Sequence, residues 1–232
     1  MSKKLGILGG MGTLATAELF KMIALFTDAS SDQEHLHILI NNNPSIPDRT
    51  SYLMGLGEDP RKCLIESAKG LENMGAEFLI MPCNTAHYFY KDIVNEINIP
   101  FLNLVEETVN FILDEYPNIK KIGLLATDGT CSTGIYDKYF KDHDIEVIKP
   151  TKTMQSYVMD FIYSIKKGHK EIPLELLYET VEEMKQQDVE IFILGCTELS
   201  SAYEIFKLQG TFIDPLKVIA LRAINFSGKK SL

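Results

Sequence analysis

Two stretches of this chain copy one another, and the copy limits what the chain can fold into. The first is Glu77-Phe78-Leu79-Ile80-Met81-Pro82-Cys83-Asn84-Thr85-Ala86-His87, and the second is Glu190-Ile191-Phe192-Ile193-Leu194-Gly195-Cys196-Thr197-Glu198-Leu199. Each opens on a glutamate, runs through apolar residues to a Pro or Gly, and sets a cysteine six residues after the glutamate. A bounded apolar run of this length reads as a parallel strand buried on both faces. Each cysteine then falls at the C-terminal edge of its strand, the edge at which open α/β sheets bind ligands. Two such edges point two cysteines at one cleft.

A second echo strengthens the first. Lys120-Lys121-Ile122-Gly123-Leu124-Leu125-Ala126 repeats Lys3-Lys4-Leu5-Gly6-Ile7-Leu8-Gly9. Lys4 and Lys121 are 117 residues apart, and Cys83 and Cys196 are 113 apart. Strands alternate with helical stretches throughout, which indicates parallel sheets. The expected fold is α/β, with two pseudo-symmetric lobes, each a parallel sheet flanked by helices, and the active site in the cleft between them. Residues 1–104 with 214–232 form the Cys83 lobe, and residues 105–213 form the Cys196 lobe. Strands are expected at 4–9, 36–40, 77–81, 100–104, 120–126, 146–148, 190–194 and 211–213. Helices are expected at 13–26, 60–74, 87–96, 105–116, 136–141, 157–167, 174–187 and 216–226. The last helix packs back on the first lobe, residues 41–50 read as loop, and 228–232 as a frayed tail.

Charge narrows the function. A net charge of −9 argues against nucleic acid or an anionic membrane as partner, since both need a basic face. The four cysteines, Cys63, Cys83, Cys131 and Cys196, contain no CxxC pair, so a zinc or thioredoxin-type site is not expected. The start of the chain runs directly into a strand-like segment with no long apolar region ahead of it, and no run reaches the ~18 apolar residues of a membrane span. A cytoplasmic protein with reduced thiols is the expectation.

One cysteine alone reads equally well as a small buried hydrophobe. The repeat favours a chemical pair, because both cysteines precede polar residues that can open a helix, and a helix N-terminus lowers a thiol's pKa. Cys63 falls inside a helix and reads as structural, whereas Cys131, after the second glycine turn, stays open. Gly10-Met11-Gly12-Thr13-Leu14-Ala15 fits a loose dinucleotide fingerprint, but the second strand ends in Asn41-Asn42-Asn43 where an acid should hold the ribose. A turn that lets backbone approach a small ligand explains the glycines better. Arg49, in a loop after a strand, can grip a carboxylate with two bonds. Lys166 reads either as a carboxylate holder or as a solvated helix end. His87 and Glu198 lie close enough to a cysteine to orient its thiol or to cap a helix, and His87 is not expected as an obligatory base.

With Met81-Pro82-Cys83-Asn84-Thr85-Ala86-His87, Gly195-Cys196-Thr197-Glu198-Leu199, the Gly6–Gly12 stretch and Asn42-Asn43-Pro44-Ser45-Ile46-Pro47-Asp48-Arg49-Thr50 in order, the chain resembles the aspartate/glutamate racemase superfamily, and aspartate racemases in particular. The resemblance covers nearly the whole length. It implies a homodimer and racemisation of an acidic amino acid without pyridoxal phosphate. It implies Cys83 and Cys196 as the catalytic pair and substrate contacts at Met11, Arg49, Asn84, Thr85, Thr127, Lys166 and Thr197, with Glu198 beside them. Glutamate racemases carry His after the second Cys-Thr, so Glu198 favours aspartate. The chemistry agrees: taking a proton from one face of the α-carbon and returning one to the other needs two bases. Two alternatives are an isomerase or decarboxylase of dicarboxylates with the same fold, and a non-catalytic binder of acidic amino acids, against which the cysteine repeat argues.

Overall fold

The strand residues alternate between two cores, and that alternation positions both cysteines. The computed structural model describes residues 2–168 and 173–232. Its elements run β1 (Leu5–Gly9), α1 (Thr13–Phe26), β2 (Ile38–Asn42), α2 (Arg49–Leu53), α3 (Arg61–Asn73), β3 (Phe78–Ile80), a 3-10 turn (Thr85–Phe89) into α4 (Tyr90–Val94), and α5 (Leu104–Glu115). The second half runs β4 (Lys121–Ala126), α6 (Asp128–Thr133), α7 (Ile135–Phe140), β5 (Glu146–Ile148), α8 (Lys152–Lys166), α9 (Glu175–Lys185), β6 (Ile191–Gly195), α10 (Thr197–Phe206), β7 (Thr211–Ile213) and α11 (Pro215–Phe226). All strand pairings are parallel: β2-β1-β3 in one sheet and β5-β4-β6-β7 in the other.

Phe78 and Ile80 of β3, and Ile191 and Ile193 of β6, enter one core that both sheets share with α1, α5, α7 and α11. The intervening side chains point the other way, as the period of two requires. Leu79, Met81 and Cys83 join a core beneath α3 and α4, whereas Phe192, Leu194 and Cys196 join one beneath α8, α9 and α10.

The glycines of the echoed motif have a packing reason. Gly6 pairs with Leu79, and Gly123 pairs with Phe192. A Cβ would stand 2.4 Å from a Leu79 methyl in the first case and 2.3 Å from the Phe192 ring in the second. The central strand of each sheet thus makes room for a bulky residue four positions before the cysteine. A third correspondence lies beyond β3. Phe101 makes a single parallel bridge to Leu79, just as β7 flanks β6. Asn103 and Asp214 then cap α5 and α11 with their side chains.

Several expectations need correction. Residues 100–104 make only that one bridge instead of a strand. β2 runs two residues later than expected at both ends, and Asn41 and Asn42 extend it by pairing with Leu8 and Gly9. Residues 49–53 are helical, started by the Asp48 side chain accepting from Ser51 N–H. α3 starts at Arg61, one residue later than expected, and Asp59 Oδ1 accepts from Arg61 N–H. Residues 85–89 form a 3-10 turn, so the helix expected at 87–96 is only α4. A short α6 precedes α7, and α8 begins at Lys152. The tail is tied down: Thr27 and Ser231 bridge, Asp28 N–H donates to Lys230 O, and Leu232 N–H donates to Phe26 O. The last helix packs on both α1 and α5. Among the described residues, no helix is long and apolar enough to cross a membrane.

Candidate active site

Cys83 and Cys196, carried by strands of different sheets, line one small chamber. Met11, Arg49, Asn84, Thr85, Thr127, Lys166, Thr197 and Glu198 line it with them, so all ten expected site residues meet. Asp48, Thr50 and Gly195 complete the wall. The chamber has a volume of only about 10 Å³. It adjoins an outer cleft of about 830 Å³, and Met11, Asp48, Arg49, Lys166, Thr197 and Glu198 line both.

The turn after β1 delivers Met11. Gly10 has φ +95, and a Cβ there would lie 2.3 Å from the Asn43 carbonyl group. The close approach is therefore to the protein's own Asn43 backbone. Met11 O accepts from Arg49 Nη2 at 3.5 Å.

Arg49 is buried, and its Nη1 donates to Ile46 O and Pro47 O at 3.1 and 3.0 Å. Its Nε has no partner among the described residues. The two-bond grip is thus open only on the Nε side of the fork. Burial works against charge on Asp48, but the Ser51 N–H and hydroxyl, Arg49 and Lys166 together hold its carboxyl below the usual range.

Next to Cys83, Asn84 is 2% exposed, accepts the Tyr136 hydroxyl proton on Oδ1 at 2.5 Å, and has no partner for Nδ2 among the described residues. The Thr85 hydroxyl stands 3.0 Å from that of Thr127 and 2.8 Å from that of Thr130. Thr127 also caps α6. His87 has both ring nitrogens engaged. Nδ1 donates to Cys83 O at 2.8 Å, and Nε2 accepts Leu104 N–H at 3.1 Å. Burial pushes its pKa down to about 4, against the Cys83 carbonyl, so the ring is neutral and holds the Cys83 backbone.

Cys196 is the N-cap residue of α10, as expected, but its thiol is not acidified. Burial first, and then the Glu198 charge, push its pKa well up, with Lys166 opposing. Glu198, in the first turn of that same helix, brings Oε2 within 2.8 Å of Cys196 Sγ and accepts the thiol proton. The nearby anion and desolvation overcome the helix dipole. Thr197 Oγ1 donates to the same Oε2 at 3.4 Å. Lys166 Nζ lies 3.9 Å from Glu198 Oε1, so this exposed last residue of α8 also belongs to the site. Burial pulls the Lys166 pKa down, but the Cys196, Glu198 and Cys83 charges outweigh it and the net shift is upward.

Cys131 stands outside the chamber, with burial pushing its thiol up to about 12, and Cys63, within α3, packs against the core beneath that helix. No group of three metal-capable side chains forms among the described residues. Asp48 was read as loop, although an Asp ahead of Arg49 also fits a helix cap, and nothing in the sequence marked it as a wall of the chamber. Tyr136 and Thr130 carried no local signal, since their partners Asn84 and Thr85 lie in the other half of the chain.

A family model described as Asp/Glu/Hydantoin racemase matches residues 8–223. The broad specificity amino-acid racemase RacX of Bacillus subtilis is 29% identical over 228 residues, covering 95% of this chain and 96% of the relative. The solved structure of Picrophilus torridus aspartate racemase superposes with TM-score 0.86 at 29% identity, covering 99% of this chain and 96% of that one. Glutamate racemase of Francisella tularensis, solved with D-glutamate, shares the fold with TM-score 0.68 at 19% identity, over 97% of this chain and 80% of the other. The match across both halves, from the glycine turn to the last helix, makes this chain a member of the Asp/Glu/Hydantoin racemase family and an amino-acid racemase.

Proposed function

We propose that the protein interconverts L- and D-aspartate by two-base proton transfer between Cys83 and Cys196, without pyridoxal phosphate. One observation carries this reading: two cysteines share a chamber with two buried, unpartnered donors, Arg49 Nε and Asn84 Nδ2. A buried donor without a partner costs roughly 1–3 kcal/mol, and an incoming carboxylate removes that cost. Arg49 and Lys166 hold the two substrate carboxylates, and Asp48 receives the ammonium.

The thiol of Cys196 is engaged with Glu198, so Cys83 acts as the base in the first half of the reaction. The Cys83 thiolate takes the α-proton and becomes a thiol, and the electron pair moves into the α-carboxylate as an enediolate. Asn84 Nδ2–H and the Thr85 hydroxyl meet that charge where it develops. Cys196 then gives its proton to the opposite face and becomes the thiolate, beside Lys166. The opposite enantiomer runs the same steps backward. Proton exchange with solvent between turnovers resets the pair. Each lobe supplies one base in this scheme, and a homodimer accompanies it; light scattering at twice the chain mass tests the latter.

A second reading has its own support. The outer cleft is lined by Leu14, Ala15, Ala17, Pro44, Ile46 and Ile165, which suits a side chain larger and less polar than that of aspartate. Incubating the protein with L- and D-aspartate in heavy water, beside a panel of other amino acids, separates the two. Loss of the α-proton signal with loss of optical rotation is expected for aspartate. Exchange confined to apolar amino acids moves the substrate to the second reading, and no exchange from any amino acid defeats both.

A further inference from the structure

We propose that Tyr136 is a positioning residue for the reaction: its hydroxyl fixes the orientation of the Asn84 amide so that Nδ2–H, and not Oδ1, faces the reacting carboxylate. The inference rests on the proposed role of Asn84 in the two-base reaction.

Tyr136 lies on α7, in the second half of the chain, and its side chain is fully buried in the core that both sheets share. A phenylalanine would fill that space equally well. A hydroxyl in such a place is costly unless it is hydrogen-bonded. Its closest hydrogen-bond partner among the described residues is Asn84 Oδ1, at 2.5 Å, with the Thr108 side chain beside it. Burial pushes the phenol's pKa far up, opposed by the Thr108 side chain and aided by Asp214, so it keeps its proton and acts as the donor. A donor needs an acceptor. Turning the Asn84 amide over would put Nδ2 against the phenol, break this 2.5 Å bond and leave the phenol proton only the Thr108 side chain beside it. The bond therefore selects one of the two amide orientations.

The selected orientation leaves Nδ2 buried and without a partner among the described residues, in a residue that lines the chamber. The rejected one would turn Oδ1 toward an enediolate and repel it. Residue 85 is held the same way, by the Thr130 hydroxyl of α6. Both residues that follow Cys83 are thus set by side chains from the half of the molecule that carries Cys196.

The test compares the unaltered protein with Tyr136→Phe, Asn84→Ala and the double variant, using whichever amino acid the unaltered protein racemises, so that failure of aspartate leaves the comparison intact. The enediolate carries more charge on the carboxylate than the substrate does. Tyr136→Phe should therefore lower kcat by about tenfold or more in both directions while KM stays within about threefold. The α-deuterium isotope effect should rise as proton abstraction becomes slower. In the Asn84→Ala background the same change should cost almost nothing, because Tyr136 acts through Asn84. An unchanged kcat in Tyr136→Phe, or a full loss that persists in the Asn84→Ala background, overturns the proposal. Should Tyr136→Phe fail to fold, Asn84→Asp decides it. That variant keeps an acceptor for Tyr136 but places an oxygen where Nδ2 stood, and must be at least as slow as Asn84→Ala. A rate near that of the unaltered protein would show that no N–H is needed there.

Discussion

Glu198 and Cys196 sit two residues apart on the same helix start, and the 2.8 Å between Oε2 and Sγ makes the thiol a proton donor in waiting. Burial contributes first to its raised pKa and the Glu198 charge second. Glu198→Gln removes only the second, so the thiol becomes more acidic while staying above the ordinary range. The alkaline limb of the pH–rate profile, where Cys196 loses the proton it must donate, should move to lower pH. A limb that stays fixed would assign it to another group. Cys196→Ser should slow racemisation by about 10³-fold, within the range for losing a general acid, and any residual α-proton exchange should favour the enantiomer that Cys83 deprotonates. Equal exchange from both enantiomers in that variant would contradict two bases of opposite face. The two cysteines were legible in the sequence because their surroundings repeat. The raised pKa of Cys196 was not, since it depends on how far one helical turn carries a carboxylate.

At the scale of elements, the duplicated glycines are a packing device. Phe192 is a ring in a closed core and cannot yield as the end of a leucine can. Gly123→Ala should therefore cost about 2 kcal/mol in urea unfolding, the usual range for overpacking, and more than Gly6→Ala. The 3-10 turn after Cys83 has its own pH dependence. His87 has a folded pKa of about 4, below its ordinary 6.5. Between those values the unfolded chain binds a proton that the folded ring does not. His87 therefore leaves stability intact above pH 6.5 and lowers it as pH falls toward 4, by on the order of 3 kcal/mol. His87→Gln should flatten the loss between pH 7.5 and 4.5 measured by urea unfolding. Sequence patterns gave α1, β5 and β7 at their true limits, because breakers and caps flank them closely. They misread β2 because Asn41 and Asn42 look like loop residues, and only pairing with Leu8 and Gly9 makes them strand. They misread α2 because Pro47 and Asp48 mark a loop and a helix start equally well.

For the whole molecule, the two sheets face one common core, and α11 joins α1 to α5 across it. Far-UV circular dichroism and tyrosine fluorescence should therefore report one coincident unfolding transition, and two separated transitions would show that the halves fold independently. Tyrosine is the natural probe in a chain with ten of them and no tryptophan. The inner chamber, at about 10 Å³, has barely the room that one water needs. An amino acid must part its walls to enter, and once inside it meets two sulfur-bound hydrogens at most. Such an enclosure keeps an isotopic memory. In heavy water each molecule that inverts should emerge carrying one deuteron, taken from a thiol that exchanged before the walls closed. Molecules released uninverted should still carry their original hydrogen.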